Sequence, residues 1–214
     1  MEVYQREFFD FAIQSGVLKF GDFTLKSGRK SPYFFNAGLF NSGERLRRLG
    51  GYYAAALKRA AVPFDMLFGP AYKGIPLVAA TAIALAGEQD LDMPFAFDRK
   101  EAKDHGEGGV IVGAPLAGAV MVVDDVISSG LSVQHSAALI QSAGAHLAGV
   151  LVALDRQERG QGEHSAVAEV QARHGVPVVA VAGLHELMQY LENDTRMAAQ
   201  AAAIRTYRAQ YGVA

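Results

Sequence analysis

The chain has 214 residues, half of them hydrophobic and a fifth charged, and 20 Lys+Arg against 22 Asp+Glu leave a net charge of −2. At ~150 residues per domain this length suits one unit with a sizeable core, and the near-neutral balance argues against a surface made for nucleic-acid backbone or anionic lipid. The absence of cysteine excludes disulfides, thiol nucleophiles and Cys-ligated metals, and fits a reducing cytoplasm.

In chain order, the first segment predicts an amphipathic helix. Val3, Phe8, Phe9, Phe11, Ala12 and Ile13 share a face, Glu2, Arg6, Glu7 and Asp10 stay polar, and Gly16 ends it. Acids among the aromatics and no small-residue cleavage pattern argue against a signal peptide. Residues 17–37 alternate around Gly21 and Ser27-Gly28 as strand–turn–strand units do. Ser42 is placed to cap a helix through Lys58, with Leu46, Leu49, Tyr53 and Leu57 at helical spacing. Five short apolar runs follow: Asp65–Phe68, Pro94–Phe97, Ala119–Val123, Leu147–Leu154 and Pro177–Val181. They alternate with helical stretches near 75–88, 131–144, 164–174 and 184–192, and an Ala-rich helix closes the chain from Thr195 to Tyr211. The pattern predicts a parallel α/β sheet covered on both faces. No run of roughly 18 apolar residues occurs, so no transmembrane helix is expected. With no repeat or linker, residues 1–214 read as one unit.

In an open parallel sheet ligands sit beyond the carboxyl ends of the strands, and four strand ends carry chemistry. The strongest is Val122-Val123-Asp124-Asp125-Val126-Ile127-Ser128-Ser129-Gly130-Leu131-Ser132. An apolar strand delivers two carboxylates, and a hydroxyl- and Gly-rich loop then opens a helix whose N–H groups suit an anion. The carboxylates would repel that anion unless they accept from a sugar diol or adjoin a divalent metal. Cradle and diol acceptor side by side imply a phosphorylated ribose; an acidic turn with a Ser cap is the alternative. In Gly69–Gly74, Gly and Pro stiffen a turn that holds Lys73 at a strand end, suited to a second anionic group or simply exposed. Residues 98–109 are almost wholly ionisable and end in glycines, which fits a mobile lid carrying cations, or a solvated charged loop. Arg156 leaves a fourth strand end, free to fork onto a carboxylate or to pair with Glu158 or Asp155. Neither G-x-x-x-x-G-K-[ST] nor a strand followed by G-x-G-x-x-G is present, which argues against P-loop and dinucleotide-binding proteins.

Together these segments resemble the type I phosphoribosyltransferases. The Val122–Ser132 stretch is similar to their phosphoribosyl-diphosphate motif, while Phe23–Asn36, Gly69–Gly74, Arg99–Gly109 and Leu154–Gly160 point to the orotate-specific bacterial branch. The resemblance implies a mostly parallel sheet of about five strands at about 64–182, an N-terminal hood over 1–40 and a C-terminal helix at 195–211. It implies transfer of phosphoribosyl from the diphosphate to orotate, with Mg²⁺ held mainly by the substrate diphosphate near Asp124 and Asp125, in the cytoplasmic route to pyrimidines. Catalysis would fall to Lys103, Asp124, Asp125, Lys73 and His105. The phosphoribosyl diphosphate would meet Lys26, Tyr72, Lys73, Arg99, Lys100, Lys103, His105 and Asp124 through Ser132, with Val126, Ile127, Ser129, Gly130 and Leu131 in the loop. Orotate would meet Lys26, Phe34, Phe35, Ser128 and Arg156. The resemblance further implies a homodimer sharing lid residues across its interface, with no nucleic acid or membrane partner. The chain departs from the family at Leu131, where a hydroxyl residue is usual. Transfer to another base, or a non-catalytic regulator sensing phosphoribosyl diphosphate, are the competing readings. The second is disfavoured by the acids among the first forty residues.

Overall fold

The first two helices begin where the sequence supplies caps. In this computed structural model, which describes residues 1–25, 28–103, 109–159 and 162–213, α1 (Val3–Gln14) opens with Gln5 reaching back to the Glu2 N–H at 2.9 Å. The Ser42 hydroxyl accepts from the Arg45 N–H to start α2 (Gly43–Ala60), with Glu44 in its first turn and Lys58 and Arg59 in its last, as the helix dipole favours. Between them, β1 (Leu18–Thr24) and β2 (Lys30–Phe35) pair antiparallel, and the register shifts between Phe20 and Phe23 around Gly21. Phe8 packs its ring against Phe35 at 6.3 Å and Tyr52 at 5.7 Å, and Phe11 stacks on Phe40 at 5.2 Å, which fixes this hairpin to α1 and α2.

The remaining elements alternate: β3 (Met66–Gly69), α3 (Gly74–Gln89), β4 (Phe95–Lys103), β5 (Gly109–Gly113), β6 (Ala119–Val123) and α4 (Leu131–Ser142). Then come β7 (His146–Asp155), α5 (Ala166–His174), β8 (Val178–Gly183), α6 (Leu184–Glu192) and α7 (Ala198–Tyr211). They form a sheet of order β5-β4-β3-β6-β7-β8, parallel except where β5 pairs with β4. Successive strand residues enter opposite apolar layers, as the two-residue period requires. Leu67, Met121, Val123 and Leu151 join the layer beneath α1, α2, α3, α6 and α7, while Met66, Phe68, Val120, Val122 and Val150 join that beneath α4 and α5. Burial on both faces explains the apolar runs.

The five expected strands are β3, β4, β6, β7 and β8. The structure adds a sixth and corrects the charged segment. Residues 99–103, expected in a lid loop, continue β4, and Gly109–Gly113 return antiparallel, placing Asp98 opposite Ile111 and Lys103 opposite Gly109. The β-branched run Val110-Ile111-Val112 was the available signal. An edge hairpin tolerates the charges that hid it, because one edge and part of its surface face water. Lys26, His105 and the side chain of Lys103 lie outside the described residues. No helix among the described residues is long and apolar enough to cross a membrane.

Candidate active site

β3 lies between β4 and β6, so the chain leaves β3 toward one edge of the sheet and β6 toward the other. Such a reversal opens a crevice at the carboxyl ends of the two strands. At the end of β3, a Cβ on Gly69 would sit 2.3 Å from the Gly74 carbonyl oxygen, and one on Gly74 would sit 2.6 Å from Pro70 Cδ. Only glycines close this turn, and they leave Tyr72 and Lys73 exposed at the crevice. At the end of β6, Asp124 and Asp125 are buried. Lys73 Nζ donates to Asp125 Oδ2 at 2.6 Å, so two segments separated by fifty residues meet in one site.

The acids are held from several sides. Asp124 Oδ1 accepts from the Asp125 N–H and Oδ2 from the Ser132 hydroxyl, each at 2.8 Å, while its carbonyl accepts from the buried Tyr53 hydroxyl at 2.8 Å. Asp125 Oδ1 accepts from the Val126 N–H at 2.9 Å. Burial, and then the neighbouring Asp125 charge, raise the Asp124 pKa from 3.8 to about 6, against the hydrogen bonds from Ser132 and the Asp125 N–H. This pair carries negative charge that the protein compensates only in part.

Beyond the acids, Val126 packs into one apolar layer and Ile127 into the other, so both offer backbone rather than side chain. Ser128 and Ser129 are exposed. Gly130 has φ 71°, and a Cβ there would meet Val170 Cγ2 at 3.1 Å. It starts α4 with no side-chain cap, whereas Ser42 and Ser165 cap α2 and α5. The first-turn N–H groups of α4 therefore remain available to an anion. Leu131 is 67% exposed. Of the loop's hydroxyls, that of Ser132 already donates to Asp124.

Asp98, which no sequence argument singled out, links three of these pieces. Its buried carboxylate accepts from the Ala71 N–H at 2.5 Å through Oδ1 and meets His135 Nε2 at 3.2 Å through Oδ2. Lys100 on β4 places Nζ 4.8 Å above the Tyr72 ring. Arg99, the preceding residue, is half-buried.

Arg156 sits apart from the acids, where the end of β7 faces the β1–β2 hairpin. Its guanidinium lies 4.5 Å from the Tyr33 ring centroid, reaches Ser31 Oγ at 3.5 Å and forms an ion pair with Glu158 at 2.8 Å. Burial works against its charge, but Tyr33 and Glu158 outweigh that and hold its pKa above the ordinary value. Of the two readings of Arg156, the pairing with Glu158 is the one formed within the chain, and it is partly buried rather than on the surface. Phe35 packs its ring against Phe8 and Phe40, and Phe34 stacks on Phe23 at 5.5 Å, so the Phe34 ring is the more exposed of the two. Tyr33, Arg29 and Tyr207 complete this wall. Tyr207 had no local signal because it lies on the last helix, in an ordinary apolar pattern.

A parallel sheet with a switch-point crevice, paired acids and an uncapped helix start defines a phosphoribosyl-transferring class of protein, and the family model described as the phosphoribosyl transferase domain matches residues 53–181. The orotate phosphoribosyltransferase of Aeromonas salmonicida is 58% identical over 217 aligned residues, covering 100% of both chains, and that of Pseudomonas aeruginosa is 56% identical with the same coverage. The crystal structure of the Francisella tularensis orotate phosphoribosyltransferase superposes with a TM-score of 0.87 at 43% identity, covering 96% of this chain and 99% of that one. The chain belongs to the orotate phosphoribosyltransferase family, enzymes of pyrimidine biosynthesis.

Proposed function

We propose that the crevice between β3 and β6 binds 5-phosphoribosyl diphosphate and that the wall between β7 and β2 binds orotate, so that their junction is where the phosphoribosyl group is transferred. The observation that carries this reading is the Lys73–Asp125 contact at 2.6 Å, which joins a cationic loop to the acid pair beside an uncapped helix start. The 5-phosphate rests on the Ser128–Ser132 loop, held by backbone N–H groups and hydroxyls. Asp124 and Asp125 accept from the ribose hydroxyls. Tyr72, Lys73, Arg99, Lys100, Lys103 and His105 surround the diphosphate, and Lys26, Phe34, the Phe35 backbone, Ser128 and Arg156 surround orotate.

In the reaction the bond from C1 to the diphosphate oxygen breaks, C1 bonds to a ring nitrogen of orotate, and the proton of that nitrogen leaves to the departing pyrophosphate or to water. The sugar passes through an oxocarbenium-like state, so no covalent nucleophile is required. What the chain supplies is positive charge on the departing diphosphate, which strengthens as the bond breaks. The β4–β5 hairpin excludes the water that would attack the same carbon. Among the described residues no cluster of three His, Asp or Glu is arranged for a metal. The hard oxygens of Asp124 and Asp125 fit Mg²⁺, which is commonly held by one or two carboxylates and substrate phosphates. When bound, it would neutralise charge on the diphosphate. Two copies would associate so that the hairpin of one reaches the crevice of the other. The experiment is a panel of orotate, uracil, adenine and hypoxanthine with phosphoribosyl diphosphate and Mg²⁺, following pyrophosphate release. Turnover with orotate alone is expected; turnover with a purine but not orotate would overturn the reading.

A further inference from the structure

Glu158 is the most heavily bonded side chain in the wall that holds Arg156, and nothing in the reaction requires a carboxylate there. Its side chain is 8% exposed. Oε1 accepts from the Tyr33 hydroxyl at 2.7 Å and pairs with Arg156 at 2.8 Å; Oε2 accepts from the Tyr207 hydroxyl at 2.8 Å and meets Arg29 at 3.4 Å. A carboxylate has about four acceptor sites, and all are occupied. Burial raises the pKa of Tyr33 well above its ordinary value, and the Glu158 charge adds to the effect, so the phenol remains a donor.

Local geometry delivers Glu158 to this place. Asp155 Oδ1 accepts from the Gln157 N–H at 2.9 Å, and Gln157 takes a left-handed φ of 50°, so the chain reverses after Arg156. The end of α7 then locks the reversal. Val213 N–H donates to the Gln157 carbonyl at 3.0 Å and Arg159 N–H to that of Tyr211 at 2.8 Å, while Arg29 covers the Tyr211 ring at 4.5 Å. Three remote parts of the chain, β2, the β7 loop and α7, converge on one carboxylate.

We propose that Glu158 is a positioning residue for orotate binding, using the C-terminal helix as its anchor to fix the Arg156 guanidinium. The proposal rests on the reading that Arg156 receives the orotate carboxylate. Glu158 and Ser31 hold Nη2 and Tyr33 covers one face of the guanidinium, while Nε and Nη1, on opposite sides of it, each have no hydrogen-bond partner among the described residues. Arg29 and Arg156 against Glu158 leave this cluster with one net positive charge, the sign that attracts a carboxylate. A fixed guanidinium loses less freedom on binding than a mobile one, so the gain appears in affinity.

The experiment measures KM for both substrates and kcat in Glu158→Gln, Tyr207→Phe and Arg156→Ala, and in both double variants with Arg156→Ala. Glu158→Gln is expected to raise the orotate KM about tenfold, with the phosphoribosyl-diphosphate KM within about twofold. Tyr207→Phe, which removes one bond to the far oxygen and keeps the charge, should raise the orotate KM about threefold and serves if Glu158→Gln does not fold. In the Arg156→Ala background both effects should shrink to within about twofold, because there is no guanidinium left to position. An unchanged orotate KM in the folded single variants would overturn the proposal. So would an equal rise that persists without Arg156, which marks a merely structural role. If Arg156→Ala itself leaves the orotate KM unchanged, the reading of Arg156 fails first and takes the proposal with it.

Discussion

Asp124 and Glu158 are both buried carboxylates close to the end of a parallel strand, yet the protein treats them in opposite ways. Asp124 receives one hydroxyl and one backbone N–H, sits beside a second acid and has its pKa raised to about 6. Glu158 receives two phenols and two guanidiniums. The first is a charge whose missing donors a sugar can supply. The second is fully compensated within the chain and acts through geometry. A carboxylate left short of donors marks where a ligand goes, and a saturated one marks what holds the binding wall in place.

The largest effect should come from breaking the acid side across two copies of the chain. Lys103→Ala and Asp125→Asn should each be inactive, and in the proposed dimer, with free subunit exchange at equal amounts, about half of the pairs would be mixed. If the hairpin works across the interface, each mixed dimer has one intact site, and activity should return to about a quarter of wild type. No recovery, with exchange confirmed by mass spectrometry, would show that hairpin and crevice belong to one copy.

Arg156→Ala breaks the other side of the comparison. It should raise the orotate KM at least tenfold, since a charge-assisted contact is worth about 1.5–3 kcal/mol, and should leave the phosphoribosyl-diphosphate KM nearly unchanged. Equal losses for both substrates in steady-state assays would place Arg156 elsewhere.

Asp124→Asn sharpens the contrast through stability. Because the folded pKa is raised, the unfolded chain binds fewer protons between pH 3.8 and about 6, so stability falls as pH rises through that window. At about 1.4 kcal/mol per pH unit the penalty above pH 6 is on the order of 3 kcal/mol. The ligand-free Asn variant should therefore match wild type in denaturant midpoint near pH 4 and exceed it at pH 7, while losing activity. A variant less stable at pH 7 would contradict an undercompensated charge.

The smallest effect concerns Leu131. Leu131→Thr adds a hydroxyl at an exposed first-turn position of α4 and should lower the phosphoribosyl-diphosphate KM by about two- to fivefold, near the net worth of one hydrogen bond. Titration of the two proteins with that substrate would detect it.

The acid pair and the loop after it were legible because their parts are contiguous. An apolar strand, two acids, a Gly turn and a helix start follow one another, and each local choice agrees with the next. The wall around Arg156 was not. Arg156 was visible as a cation at a strand end, but Tyr33 and Tyr207 read as ordinary core aromatics, and nothing near residue 158 announces what surrounds it. The β4–β5 hairpin fell between these cases, its β-branched return strand masked by a charged first half.

Spacing and composition by themselves determined the alternation of strands and helices, the cap of α2, the two covered faces of the sheet and the strand ends where chemistry collects, because burial periodicity and cap chemistry are local. Only the tertiary structure decided that Lys73 meets Asp125, that Asp98 joins β4 to the β3 turn and α4, and that the last helix reaches back to Glu158. Those contacts depend on strand order and on how the ends of a twisted sheet converge, and neither is written in any single stretch of residues.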